Sequence, residues 1–362
     1  MDLSDFGWDE SLENSFKELR EKELLPARVI ESNRLTYKLV SEKGEITGKL
    51  SGRFRYDCHS KCDIPTVGDW VAFKPSQVNG FALIQMVLGR KNKFSRKVAG
   101  KVSDEQVIAA NIDTIFIVSG LDRDFNIRRL ERYVTLASEC NAEFVFILNK
   151  SDLCKDAGRV VSKIHSLFEG TPVYALSALN NQGLEQIAPY LKSGKTIIFL
   201  GSSGAGKSTI INRLLGEDKQ KTGSVRTHDG RGRHITMSKT LILLPSGAIV
   251  IDTPGLRELQ LLGSGEGLKN AFSDIELLAG QCKYRSCTHS NEPGCAVLTA
   301  VNDGLILEER LKNYHKLKRE IVHNLFKHEA RFRNKRNKFW KTVGKQAKLV
   351  KKSKEPAAEN LP

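Results

Sequence analysis

Residues 195–210, KTIIFLGSSGAGKSTI, constrain this chain more than any other stretch. An apolar run enters G-x-x-x-x-G-K-S, here Gly201 to Ser208, and a helical pattern leaves it. That strand–loop–helix order is what a phosphate-binding loop requires. Gly204 and Gly206 let the backbone curl, so that N–H groups along Ser202, Ser203 and Ala205 point at phosphate oxygens. Lys207 reaches the β- and γ-phosphates, and the Ser208 hydroxyl ligates Mg²⁺. Thr209 lies in the first turn of a helix whose positive dipole end faces the anion. Such a loop belongs at the carboxyl edge of a mostly parallel sheet with helices on both faces, so a nucleoside triphosphate site in an α/β domain is expected.

Two further motifs end apolar, strand-like runs. AIVIDTPG carries Asp252, placed to hold Mg²⁺ through water, and Gly255, whose N–H senses the γ-phosphate. EFVFILNKSD carries Asn149, Lys150 and Asp152. The Asp152 carboxylate accepts two hydrogen bonds from the N1–H and exocyclic amine of guanine; adenine offers no such pair. The Lys150 stem lies over the base, Asn149 ties this loop to the phosphate loop, and Ser177-Ala178 follows the next strand to complete the base site. GTP is therefore expected over ATP. The order is unusual, because Asp152 precedes Gly201 and Asp252 comes 51 residues after it. A parallel sheet depends on which strands are neighbours, so a circular permutation leaves the pocket intact and moves only the termini.

The 362 residues suggest two or three domains at ~150 residues each. Residues 1–24 read as an acidic helical leader, with Leu12, Phe16, Leu19 and Leu24 on one face. Residues 25–100 hold short β-rich runs (RVIES, LTYKLVS, ITGKL, WVAFK, FALIQMV) separated by turns, the pattern of an OB-fold barrel, and end in a basic connector, RKNKFSRKVAGKVSD. Residues 101–265 alternate strand and helix and form the permuted P-loop domain. Residues 266–330 hold a Cys/His cluster and a helix with Leu307, Leu311, Tyr314, Leu317, Ile321 and Leu325 on one face. Residues 331–362 form a basic tail expected to be disordered.

CKYRSCTHSNEPGC places Cys282, Cys287, His289 and Cys295 as C-x4-C-x-H-x5-C. Three thiolates and an imidazole satisfy tetrahedral Zn²⁺ with no ligand left over, so a closed structural site is expected. CHSKC (Cys58, His59, Cys62) lacks a fourth ligand and reads as loop. The formal charge is +15, and residues 331–354 carry eleven bases and no acid. Such a tail suits a polyanion, and Phe332, Phe339 and Trp340 suit base stacking. There is no export-signal pattern, no span of ~18 apolar residues, and an odd count of seven cysteines, which together predict a cytoplasmic protein off the membrane.

The permuted order, PTVGDW (Pro65–Trp70) in the barrel and the Cys/His module after the GTPase block resemble the ribosome small subunit-dependent GTPase family (RsgA/YjeQ) over about residues 25–330. The resemblance implies a monomeric GTPase that binds the small ribosomal subunit and its rRNA, and acts late in its maturation, with hydrolysis stimulated by the subunit. Other subunit assembly factors are possible partners. It also implies GTP/GDP with Mg²⁺, one structural Zn²⁺, and Thr236 as the switch threonine that reaches Mg²⁺ and the γ-phosphate. Leu256 stands where Ras-like enzymes carry the water-orienting Gln, so His234 is the expected substitute beside Thr236 and Lys207. The alternatives are an RNA-binding protein whose guanine-nucleotide site is regulatory, and a metabolic P-loop kinase; the latter gives no purpose to barrel or tail.

Overall fold

The computed structural model describes residues 1–33, 36–58, 60–76, 80–97, 105–216, 239–252 and 265–326. His59 and the basic tail lie outside the described residues.

A 3₁₀ turn (Leu3–Phe6) and helix α1 (Glu10–Glu21) open the chain, and the Asp9 carboxylate caps α1 by accepting from Leu12 N at 2.9 Å. The expected apolar face is real: Phe16 is fully buried and packs with Leu12, Leu19 and Leu24 beside Trp70 and Ile249. Five strands follow, β1 (Leu25–Ser32), β2 (Tyr37–Ser41), β3 (Gly44–Leu50), β4 (Trp70–Pro75) and β5 (Ala82–Val87), with helix α2 (Gly52–Asp57) between β3 and β4. They run in the order β1-β2-β3-β5-β4 and close by antiparallel β1–β4 pairing, which removes the free edges.

The described part of the basic connector is not a linker. Lys93–Lys97 form β6, paired antiparallel with β7 (Glu105–Ala110). Alternation explains this: Phe94 turns inward and is buried, while Lys93 turns outward to Glu105 at 2.8 Å.

The nucleotide-domain sheet contains β8 (Thr114–Gly120), β9 (Glu143–Asn149), β10 (Val173–Ala175), β11 (Thr196–Gly201), β12 (Lys239–Leu243) and β13 (Ile249–Asp252). Helix α3 (Ile127–Glu139) joins β8 to β9, α4 (Ala157–Leu167) joins β9 to β10, and α5 (Lys207–Leu215) follows β11. The order is β10-β9-β8-β11-β13-β12; all neighbours are parallel except β12 against β13. The apolar runs of β8, β9 and β11 carry two cores. Ile115, Ile117, Phe146, Leu148, Ile198 and Leu200 face the α3 side, and Phe116, Val118, Val145, Ile147, Ile197 and Phe199 face the α5 side. Beyond its pairing with β13, β12 pairs with barrel strand β1, with Thr240 opposite Glu31 and Lys239 opposite Ser32, so barrel and sheet share one hydrogen-bonded ladder.

Arg28 sits at the junction of leader, barrel and sheet. It is 1% exposed and donates to the carbonyls of Phe6 and Gly68 and to Thr196 Oγ1 at 2.8 Å. Burial holds its guanidinium down at about 10.

The C-terminal part comprises α6 (Glu266–Ala271), α7 (Ser273–Ala279), α8 (Ala296–Asn302) and α9 (residues 308–326). Leu311, Tyr314, Leu317 and Ile321 are buried against the sheet's α3-side core, as their spacing predicts. Leu307 and Leu325 are not: they are 56% and 46% exposed. Leu307 precedes the first helical turn, where its carbonyl accepts Arg310 N, and Leu325 lies a turn beyond the packed surface. Among the described residues no helix is long and apolar enough to cross a membrane.

Candidate functional site

Gly120, Asn149, Ala175, Gly201 and Asp252 are the last residues of β8, β9, β10, β11 and β13, and all five strands run parallel. The loops after them therefore lie along one edge of the sheet, where α/β folds bind ligands. The permutation changes the order in which these loops occur in the chain and leaves their neighbourhood alone.

The loop between β11 and α5 is tightly set. A Cβ on Gly201 would lie 2.2 Å from Val118 O, and one on Gly206, at φ +92°, would lie 2.1 Å from Asn149 Nδ2. Only glycine fits either place. Lys207 Nζ donates to Gly201 O at 2.8 Å and Ser202 O at 2.6 Å, which holds the ammonium across the loop's mouth. Lys207, Ser208 and Thr209 form the first turn of α5 and are half-buried, while Ser203 and Gly204 are exposed.

Asn149 joins this loop to the loop after β9, where the base is expected. It is 2% exposed, its Nδ2 donates to Ala205 O at 2.9 Å, and its Oδ1 accepts Ala178 N at 3.0 Å. Asp152, three residues after Asn149, is exposed, and one carboxylate oxygen accepts from Ser177 Oγ. Ser177 and Ala178 are fully buried, which fixes that orientation. Asn149, Asp152, Ser177, Ala178 and the phosphate loop are thus linked by hydrogen bonds. Asp252 ends β13, half-buried, on the strand next to β11. His234, Thr236 and Gly255, with Leu256, lie outside the described residues.

Three charged residues that carried no motif take part. Arg213, in the last turn of α5, donates to Ala178 O and Leu179 O, both at 3.0 Å. Asp122 accepts from Lys150 Nζ at 2.6 Å, and Asp124 accepts from Ser202 Oγ at 3.1 Å. Burial pushes the Asp122 carboxyl up, but the Lys150 ammonium and the Asp124 N–H outweigh it and hold the group below its ordinary value. The available signal was position: Asp122 comes two residues after the carboxyl end of β8, where such sheets place functional loops.

The Cys/His cluster lies between α7 and α8. Donor atoms of Cys282, Cys287, His289 and Cys295 all fall within 4.8 Å of one another. Cys282 Sγ is 3.6 Å from His289 Nδ1 and 3.8 Å from Cys295 Sγ, and His289 Nδ1 is 3.4 Å from Cys295 Sγ. Tetrahedral bonds of ~2.3 Å to sulfur and ~2.0 Å to nitrogen imply edges of about 3.8 Å and about 3.5 Å, so the four residues fit a metal ion. The surrounding loop is preset. Glu292 accepts from Thr288 N at 2.8 Å, Ser290 N at 3.0 Å and Asn291 N at 3.2 Å, and His289, at φ +57°, has its carbonyl tied to His315 Nε2 at 3.2 Å. Among the described residues it is the one such cluster.

The model of the RsgA GTPase family matches residues 87–262. The Small ribosomal subunit biogenesis GTPase RsgA of Opitutus terrae is 44% identical over 329 residues, 88% of this chain and 90% of its own. The crystal structure of YjeQ from Thermotoga maritima superposes with a TM-score of 0.61 at 28% identity, over 83% of this chain and 99% of that one. That of YloQ, a circularly permuted GTPase, has a TM-score of 0.59 at 24% identity, over 83% and 96% of the two chains, and shows the same fold. With a glycine-locked phosphate loop, a base loop bonded to it by Asn149 and this similarity along nearly its whole length, the chain belongs to the RsgA family of circularly permuted GTP hydrolases.

Proposed function

We propose that the protein binds the small ribosomal subunit through its rRNA and hydrolyses GTP there, at a late step of the subunit's maturation. The observation that carries this reading is the Asn149 bridge at 2.9 Å to Ala205, which supports one guanine nucleotide spanning Asp152 at its base and Lys207 at its phosphates. Asp152 selects guanine, because a ring without paired donors leaves that carboxylate unsatisfied. Lys207 and the loop's N–H groups stabilise charge on the transferring phosphoryl group. A hydroxyl from Ser208 and a carboxylate from Asp252 are hard oxygen donors suited to Mg²⁺, which neutralises phosphate charge when bound; Thr236 completes that set in this reading. His234 orients the attacking water, and Gly255 senses the γ-phosphate.

The Cys282, Cys287, His289 and Cys295 set suits Zn²⁺, held for structure rather than reaction, because all four positions are filled by protein. Barrel and metal module serve as docking arms, with the tail 331–354 as an electrostatic anchor. The protein works in the cytoplasm as a monomer off the subunit, and other assembly factors are partners in the same step.

The deciding experiment is GTP hydrolysis with and without purified small subunits. A large stimulation, lost in His234→Ala with subunit binding unchanged, is the expected result. Equal rates with and without subunits overturn the reading, and tight binding without hydrolysis favours an RNA-binding protein whose nucleotide site is regulatory. Atomic absorption should find one zinc per chain.

A further inference from the structure

We infer that Asp122 and Asp124 are positioning residues for the nucleotide, joining the base-recognition loop to the phosphate loop by a second bridge independent of Asn149. The inference rests on the guanine-nucleotide reading of the site above and adds to it two residues that belong to none of its motifs.

Residues 120–126 connect β8 to α3. Asp122 uses its two carboxylate oxygens for different purposes: Oδ1 accepts Asp124 N at 3.0 Å and closes the loop on itself, while Oδ2 accepts Lys150 Nζ at 2.6 Å. Lys150 stands at φ +64°, a backbone conformation that aims its side chain away from the line of the strand. Its four-carbon stem has many rotamers, and an anchored ammonium leaves few of them. Both side chains are about one-quarter exposed, 24% for Lys150 and 25% for Asp122, so solvent screens the pair only in part. Asp124, fixed by that turn, accepts Ser202 Oγ at 3.1 Å in the phosphate loop and also the guanidinium of Arg129 in the first turn of α3. The path Lys150–Asp122–Asp124–Ser202 therefore consists of hydrogen bonds and two peptide units throughout. Asn149 fixes how far apart the two loops lie; this path fixes where the Lys150 stem lies over the base.

The consequence is kinetic. A stem held in place retains the base, and an unanchored stem lets it leave. Asp122→Ala should raise the GDP dissociation rate about tenfold, the worth of one partly screened charge-assisted contact. Asp122→Asn keeps an oxygen for Asp124 N and loses only the ionic anchor, so it should give most of the same increase with unchanged thermal unfolding. The discriminating measurement is a double-mutant cycle: Lys150→Ala and Asp122→Ala together should dissociate no faster than Lys150→Ala alone. Rates within twofold of wild type for both Asp122 variants, or effects of Asp122→Ala and Lys150→Ala that multiply independently, overturn the inference. Asp124→Ala against Ser202→Ala tests the second arm in the same way. Asp152→Asn supplies the separate control. It should move preference from GTP to xanthosine triphosphate, and its failure would count against the base site itself, whatever the Asp122 variants do.

Discussion

The barrel and the metal module are both attached to one GTPase sheet, but by different chemistry. The barrel continues the sheet: β1 pairs with β12 through main-chain bonds at Glu31–Thr240 and Ser32–Lys239, and β12 pairs in turn with β13, which ends at Asp252. The module instead lies on α3 through side chains. Arg310 is 5% exposed and donates to Glu131 Oε1 at 2.7 Å and Asp274 at 2.8 Å, and Arg132 forms two 2.7 Å bonds to Glu320. Main-chain pairing tolerates most substitutions and transmits strand position directly. A dry ionic contact is specific and fails abruptly when one partner is removed. The two attachments also meet different ends of the nucleotide site. The barrel borders the Asp252 side, and α3 follows the loop that carries Asp122 and Asp124.

The largest break in this comparison comes from the metal ion that the Cys/His cluster could hold. Apparent zinc binding in small modules is worth about 10–16 kcal/mol of folding free energy. Chelation, or Cys295→Ser, should expose residues 282–295 to proteolysis while barrel and sheet stay protected; loss of barrel protection at the same chelator concentration would mean that the two attachments are not independent. Arg310→Ala comes next. It strands a buried Glu131 and should cost about 3–5 kcal/mol in urea unfolding. Burial already raises the Glu131 carboxyl in spite of Arg310 and Asn313. Without Arg310 the folded state holds that proton more tightly still, so the loss should grow as pH rises above the wild-type Glu131 value, itself above the ordinary ~4.3, and be larger at pH 8 than at pH 5. Pairing it with Glu131→Gln should recover part of the loss.

At the barrel junction, Arg28→Met keeps the hydrocarbon volume and takes away the guanidinium donors of Phe6 O and Thr196 Oγ1, while Gly68 O keeps its bond from Asn111 Nδ2 at 3.0 Å. A cost of about 2–3 kcal/mol is expected, with earlier proteolytic release of the leader. The smallest effect concerns pH at the base site. The Asp122 carboxyl lies below its ordinary value, so its contribution is complete above ~3.9 and lost only as pH falls through the lowered value. GDP dissociation from the wild type should therefore be flat from about pH 5 to pH 8. A rise already at pH 6 would point to another group.

Much of the candidate site could be read before folding, because each motif is a short-range backbone or donor pattern. Gly201 to Ser208, Asn149 with Asp152, and the four residues of the Cys/His cluster each need only their own spacing and a strand or turn beside them. Short β-rich runs between turns found the barrel strands, and periodicity found α1. It failed at the ends of α9, where Leu307 and Leu325 fit the stripe but lie past the surface it packs on, and in the connector, where one buried Phe94 makes a strand of a basic run.

Sequence alone carried the motifs expected at the sheet's edge and their permuted order, since phosphate, guanine and metal each demand particular atoms at fixed local spacing. Tertiary structure alone decided that β12 joins the barrel to the Asp252 strand, that Arg28 and Arg310 are buried, and that Asp122 anchors Lys150. In a sequence those residues look like ordinary charged surface. Lys150 lies 28 residues from Asp122 and Glu131 lies 179 from Arg310, and no local pattern encodes a contact across such a separation.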